Sequence, residues 1–198
     1  MDDSRANKKA TAAARTRDLL ERVARELFET RGFAAVSAEE IVALAGVTRG
    51  ALYHHYGGKE GLFEQVAEAA MGRLHESMVK SARAATDAIG ALKLGGGRFL
   101  ELAAAPRAQQ VLFIDAPAVL GWQRWRQMDE RHGFGLLKQA ITQGMQAGQL
   151  REQSPDLVAH IVLGAMVEAA MVIARSDHKA TVRDEAQAVL NKLIDGLA

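Results

Sequence analysis

Residues 37–59, SAEEIVALAGVTRGALYHHYGGK, read as two short helices joined by a glycine turn. Ser37 with Glu40 three residues later forms a capping box, which predicts a helix from Ala38. Ile41, Val42 and Ala45 supply its buried side, and Gly46 ends it with the positive-φ freedom that a sharp turn needs. Val47 is the buried plug of the turn, and Thr48 caps a second helix running to about His55. At about 100° per residue, Arg49 and Tyr53 share one face of that helix, with Gly50 and His54 beside them. Ala51, Leu52 and, less completely, His55 turn the other way.

A cationic, aromatic face opposite a core-forming face suits a recognition helix in the major groove. There arginine reads guanine edges bidentately, and aromatic or methyl groups contact thymine. Gly50 removes a side chain where the helix start comes nearest the duplex. Lys59 opens the next helix, where free N–H groups and an ammonium both suit a phosphate. Tyr53 is read as a contact and Tyr56 as packing on the first helix, while His55 fits either a buried hydrogen-bonded imidazole or a phosphate contact.

The stretch from about Arg15 to Val66, with RDLLERVARELFETRGF followed by SAEEIVALAGVTRGALYHHYGGKEGLF, resembles the N-terminal domain of the TetR (tetracycline repressor) family of bacterial transcriptional regulators. The resemblance implies an all-α chain: a three-helix DNA-binding domain with a helix-turn-helix, followed by an all-helical effector-binding and dimerisation domain. Carried over by position, Thr48, Arg49, Gly50, Tyr53, His54 and His55 fall where the family contacts bases or phosphates. Lys59 falls on a phosphate-contacting lysine and Ser37 on a helix start that touches backbone. The chain departs from the family at Gly57-Gly58, where Ser, Asn or Asp commonly precedes that lysine.

With 198 residues, 48% of them hydrophobic, the chain can bury one large core or two modest ones. The absence of cysteine excludes disulfides and thiolate metal sites and fits a reducing cytosol. The N-terminus is polar, without the apolar core of a signal peptide. The longest lipophilic segment, 161–174, is interrupted by Glu168 and reads as short of a membrane span. A cytoplasmic protein with no membrane partner is expected. The net charge of +1 is not that of a wholly basic DNA binder, so the basic bias is local. Arg5, Lys8, Lys9, Arg15 and Arg17 lie in a stretch without acidic residues. Residues 1–13 read as a flexible basic arm, and Arg15 and Arg17, on the first helix, are candidate DNA contacts.

The first helix is predicted over about 13–30, because Leu19/Leu20, Val23/Ala24 and Leu27/Phe28 recur every four residues. A fourth helix runs from Lys59 to about Ala82, giving domains at 14–60 and 61–198. The remainder reads as helices only, for about nine in all. Gly95-Gly96-Gly97 predicts a loop, kink or mobile point, since each glycine costs a helix roughly 1 kcal/mol against alanine. A helix from Trp122 to about Ala147 is expected to bend at Gly133 and Gly135. The final helices, about 156–175 and 181–197, carry apolar stripes too generous for a monomer's surface and resemble the family's homodimer interface.

Methionines and aromatics gather in the second half, where they fit either core or the lining of an effector cavity. The candidate pocket set is Met71, His75, Met78, Phe99, Asp115, Trp122, Gln123, Trp125, Met145 and Glu168. No nucleophile elbow, HExxH, Walker loop or dinucleotide fingerprint is present, so no catalytic residue, metal or cofactor is expected. The sequence therefore predicts a repressor, bound as a homodimer to palindromic double-stranded operator DNA and released by an unknown small-molecule effector. A ligand-unresponsive DNA-binding dimer and an all-helical enzyme are the alternatives.

Overall fold

The computed structural model describes residues 3–198, with side chains from Thr11 onward. Residues 1–2 and the side chains of Arg5, Lys8 and Lys9 lie outside what is described. Among the described residues the chain is helical throughout and has no strand. The helices are α1 (Asp3–Arg31), α2 (Ala38–Ala45), α3 (Arg49–Tyr56), α4 (Lys59–Ala82), α5 (Ala88–Ala104), α6 (106–120), α7 (122–146), α8 (Pro155–Arg175) and α9 (Lys179–Asp195). The nine-helix count holds when α6 and α7 are each taken as one helix through an internal π-turn, at Gln110–Asp115 and Glu130–Phe134 respectively. The second π-turn includes Gly133 and stops just short of Gly135, which places the distortion where the glycines predicted a bend.

α1 is longer than the sequence suggests. It begins at Asp3 and runs through the stretch read as a flexible arm. Ala6, Ala10 and Ala12–Ala14, with no glycine or proline among them, favour helix continuation over that stretch. Leu20, Ala24 and Phe28 of α1 are fully buried with Ile41, Leu52, Leu62 and Phe63. The rings of Phe28, Phe33 and Phe63 meet with centroids 5.0–5.7 Å apart.

The caps on α2 and α3 are those the sequence specifies. Ser37 Oγ accepts from Glu40 N at 3.1 Å, and Thr48 Oγ1 accepts from Ala51 N at 3.2 Å. Gly46 closes α2 at φ 64°, satisfying carbonyls of the last turn. Gly57 and Gly58 both sit at positive φ, 72° and 142°, so the departure from the family's usual junction meets a backbone that L side chains rarely adopt.

The described chain forms two compact units, one ending at Ala69 and one beginning at Ala70, and it passes from one to the other within α4. In the second unit α5 packs against α8 and α9. Here the triple glycine behaves otherwise than its propensity implies. Gly95, Gly96 and Gly97 lie inside a continuous α5 and form no loop. A Cβ on Gly96 would stand 2.8 Å from Leu190 Cδ2, and one on Gly97 would stand 2.6 Å from Gln187 Oε1. Removing side chains lets α9 approach the α5 backbone, and that packing outweighs the propensity cost.

α8 keeps the bounds expected for it to within one residue. Its 21 residues are long and apolar enough to cross a membrane by length and composition, whereas the run at 161–174 alone reads as short of a span. Half of its most apolar window is buried inside the fold, against α5, α7 and α9.

Candidate functional site

α3 owes its display to how little of it is consumed by packing. Only Leu52 is fully buried, leaving Arg49, Gly50, Tyr53 and His54 exposed. Arg49 Nη1 pairs with Glu39 Oε1 of α2 at 2.7 Å, and its Nη2 donates to the Tyr53 hydroxyl at 3.3 Å. The guanidinium carbon lies 5.3 Å from the centre of the Tyr53 ring. Arg49 and Tyr53 thus form one cluster with Glu39, a partner the sequence reading did not anticipate. Both members of the ion pair are more than half exposed, so it contributes little to stability and yields readily to a competing ligand. Around Gly50 the fold leaves open space, with Thr48 Oγ1 at 3.8 Å the nearest atom to an added Cβ. Its missing side chain answers no need inside the protein.

His54 and the half-buried His55 lie in the last turn of α3, with ring centroids 5.1 Å apart. Tyr56 donates to Glu21 of α1 at 2.8 Å, in agreement with its reading as a packing residue. Burial and the neighbouring Glu21 carboxylate push its phenol above the usual range. Arg15 and Arg17 are exposed on α1, and Ser37 is exposed at the start of α2. Lys59 is used differently from expectation. Its Nζ donates to the carbonyls of Phe33 and Val36 at 2.9 and 2.8 Å and lies 3.8 Å from the centre of the Phe33 ring. The ammonium therefore ties the α1–α2 connection to the start of α4, leaving at most one of its three hydrogens for a phosphate.

The second unit holds a cavity of about 440 Å³ between α4, α5, α7 and α8. His75 and Met78 line it, as the sequence predicts. The other candidates lie elsewhere. Met71 is buried without reaching it, and Phe99 and Trp125 are core, each packed edge to face against Phe113. Trp125 Nε1 donates to the Leu112 carbonyl at 2.7 Å. Asp115 and Met145 are half-buried outside the cavity lining, and Trp122, Gln123 and Glu168 are exposed. The reason is helical phase: on α8 the cavity takes Val162, Leu163 and Met166, and Glu168 points roughly opposite Met166. Arg83, Leu136, Leu137 and Gln143 also line the cavity and were missed, because their side chains converge only once four helices are packed.

Comparison with known proteins bears on both units. Residues 20–66 match the family described as bacterial regulatory proteins, tetR family. Residues 89–197 match the tetracyclin repressor-like C-terminal domain, which covers more than half of the chain. The chain belongs to the TetR family. The HTH-type transcriptional repressor AcnR of Corynebacterium jeikeium (strain K411) is 39% identical over 72 residues, which is 35% of this chain and 34% of AcnR. The match thus spans about a third of AcnR's length. The solved structure of a TetR-family transcriptional regulator from Pectobacterium atrosepticum is 30% identical, with TM-score 0.85 over 94% of this chain and 96% of that one. RolR in complex with resorcinol shares the TetR fold at 17% identity, with TM-score 0.74 over 93% of this chain and 89% of that one.

Proposed function

We propose that this chain is a cytoplasmic transcriptional repressor that binds a palindromic operator as a homodimer and is released by a small-molecule effector. The observation that carries the reading is α3, a capped eight-residue helix with one buried side chain and an exposed Arg49–Tyr53 face beside an empty position at Gly50. Arg49, Gly50 and Tyr53 face the bases. Ser37, Thr48, His54 and His55 set the helix on the phosphates, helped by Arg15 and Arg17. Arg49→Ala is expected to weaken operator binding by about 1–3 kcal/mol and to relax preference at one base position. A gel-shift series over single-base operator variants measures this, and unchanged base preference would remove Arg49 from base reading.

Dimerisation is supported by apolar residues left at the surface of the last two helices. Leu157, Ile161 and Val172 on α8 and Val189 and Leu193 on α9 are each about half exposed or more. Covering these stripes with a second copy would present two recognition helices to successive major grooves on one side of the DNA. Ile161→Glu combined with Leu193→Glu is expected to give a folded monomer in analytical ultracentrifugation that no longer shifts the full palindrome. A dimer persisting in that variant would place the interface elsewhere.

The cavity supports effector control, and RolR's complex with resorcinol is a precedent for a small molecule in this fold. The cavity draws His75, Met78 and Val79 from α4, the helix that carries the chain from one unit to the other. An effector with different affinity for two positions of α4 would shift the population toward a form with weaker operator binding.

A further inference from the structure

We propose that the effector is an amphipathic organic monoanion, a carboxylate on an apolar body about 12 Å long, with its head at Arg83 and its tail running toward His75; this assignment rests on the reading of the cavity as the effector site. The length follows from α4 and the turn that ends it, where the eight steps from His75 to Arg83 advance about 1.5 Å each. Exposure rises along the same line: His75 is buried, Met78 and Val79 are half-buried, and Arg83 is exposed. On α7 the lining starts at buried Gly133 and reaches exposed Gln139 and Gln143 by way of exposed Leu136 and half-buried Leu137 and Ala140. Buried His75 and Gly133 mark the closed end of the cavity, and the rise in exposure from His75 to Arg83 marks the open end.

The chemistry at the two ends differs. The walls are Leu92, Leu136, Leu137, Val162, Leu163 and Met166, which accept a body without polar groups. At the closed end His75 commits Nδ1 to the Met71 carbonyl at 2.9 Å, and burial holds its pKa down at about 4, so no cation waits there at neutral pH. At the open end stands one guanidinium. The Arg83 guanidinium has no hydrogen-bond or ion-pair partner among the described residues, and the neutral amides of Gln139 and Gln143 accompany it. Among the described residues that line the cavity there is no Asp or Glu. A cationic head would meet Arg83 with nothing to offset the repulsion. A neutral head would leave the guanidinium to water. A carboxylate gains a charge-assisted contact at the rim, where its remaining oxygen lone pairs stay hydrated.

The test uses three probes with one tail and three heads: decanoate, 1-decanol and decylamine, each below its micelle-forming concentration. Each is titrated calorimetrically into the full-length protein at neutral pH. Decanoate is expected to bind most tightly and decylamine least. Arg83→Ala, a surface substitution, is expected to weaken decanoate about tenfold, the size of one charge-assisted contact, and to leave decanol unchanged. Ala91→Leu, which fills the cavity from α5, is expected to abolish binding of all three probes. Decylamine binding as tightly as decanoate, an unaltered decanoate-to-decanol preference in Arg83→Ala, or decanoate binding undiminished in Ala91→Leu would each overturn the assignment. An operator gel shift is run in parallel. Failure of the ligand-free protein to bind any operator DNA would overturn the regulator reading and leave the ligand class standing, whereas a cation preference would do the reverse.

Discussion

Gly61→Ala is expected to destabilise the N-terminal unit by about 3 kcal/mol or more, at the upper end of overpacking effects. A Cβ at position 61 would fall on the carbonyl oxygen of Tyr56, well inside van der Waals contact. The obstacle is backbone, so no rotamer change relieves it. Neither helix is free to retreat. α3 is held by buried Leu52 and by the Tyr56–Glu21 hydrogen bond, and α4 is held by buried Leu62 and Phe63. Lys59 adds its two bonds to the carbonyls of Phe33 and Val36. Amide hydrogen exchange across α3 and the first turns of α4 should rise sharply in this variant, with loss of operator binding. Gly50→Ala is the contrasting control, because a Cβ there meets open space and alanine is the better helix former by roughly 1 kcal/mol. That variant should be at least as stable as the parent yet bind operator more weakly. Native exchange rates in Gly61→Ala would show that the α3–α4 junction can open at little cost.

How far the sequence discloses the molecule depends on the range of the interactions involved. The α2–turn–α3 block is legible because its determinants are local: Ser37 and Thr48 each reach a backbone N–H three residues on, and Gly46 closes its own helix. Gly96 is illegible, since what it accommodates is Leu190, a residue far along the chain. Lys59 misleads in another way. Its position matches a phosphate contact, but the two carbonyls that occupy it come from the connection before α2. The cavity is least legible of all. Arg83 and Gln143 are ordinary surface residues of their own segments, and only the meeting of four helices makes them neighbours of one space.

Asp129→Asn and His75→Gln are expected to change the pH dependence of stability in opposite directions, each by on the order of 3 kcal/mol. The two side chains are almost fully buried and lie 3.7 Å apart, His75 Nε2 to Asp129 Oδ1. Met71 O can only accept, so Nδ1 of His75 carries the hydrogen and Nε2 turns a lone pair toward the carboxyl. Gly133, within the π-turn of α7, makes room for this, because a Cβ there would overlap His75 Nε2. Burial lowers the His75 pKa from 6.5 to about 4 against the Met71 hydrogen bond, with nearby His132 lowering it further. Burial raises that of Asp129 from 3.8 to about 6, opposed by Arg126 and His132 and assisted by Glu130.

Between about pH 4 and pH 6 the folded pair therefore holds one proton, on Asp129, and the unfolded pair also holds one, on His75. Equal proton counts give no slope, so in the parent protein the two penalties cancel over this window. With Asp129→Asn only His75 remains. The unfolded chain then binds a proton below its ordinary value of 6.5 that the folded chain refuses, and stability falls as pH drops toward about 4. With His75→Gln only Asp129 remains. The folded chain holds a proton up to about pH 6 that the unfolded chain releases above 3.8, so stability falls as pH rises across that range. His132, Arg126 and Glu130 are present in all three proteins, so differences between them isolate the pair to the extent that their effects add. Urea-unfolding midpoints at about pH 4.5 and pH 7 should separate the variants with opposite signs about a flatter parent. Parallel lines for all three would mean that water or a structural shift neutralises the pair, and that the folded protein does not hold a single proton on Asp129 between about pH 4 and pH 6.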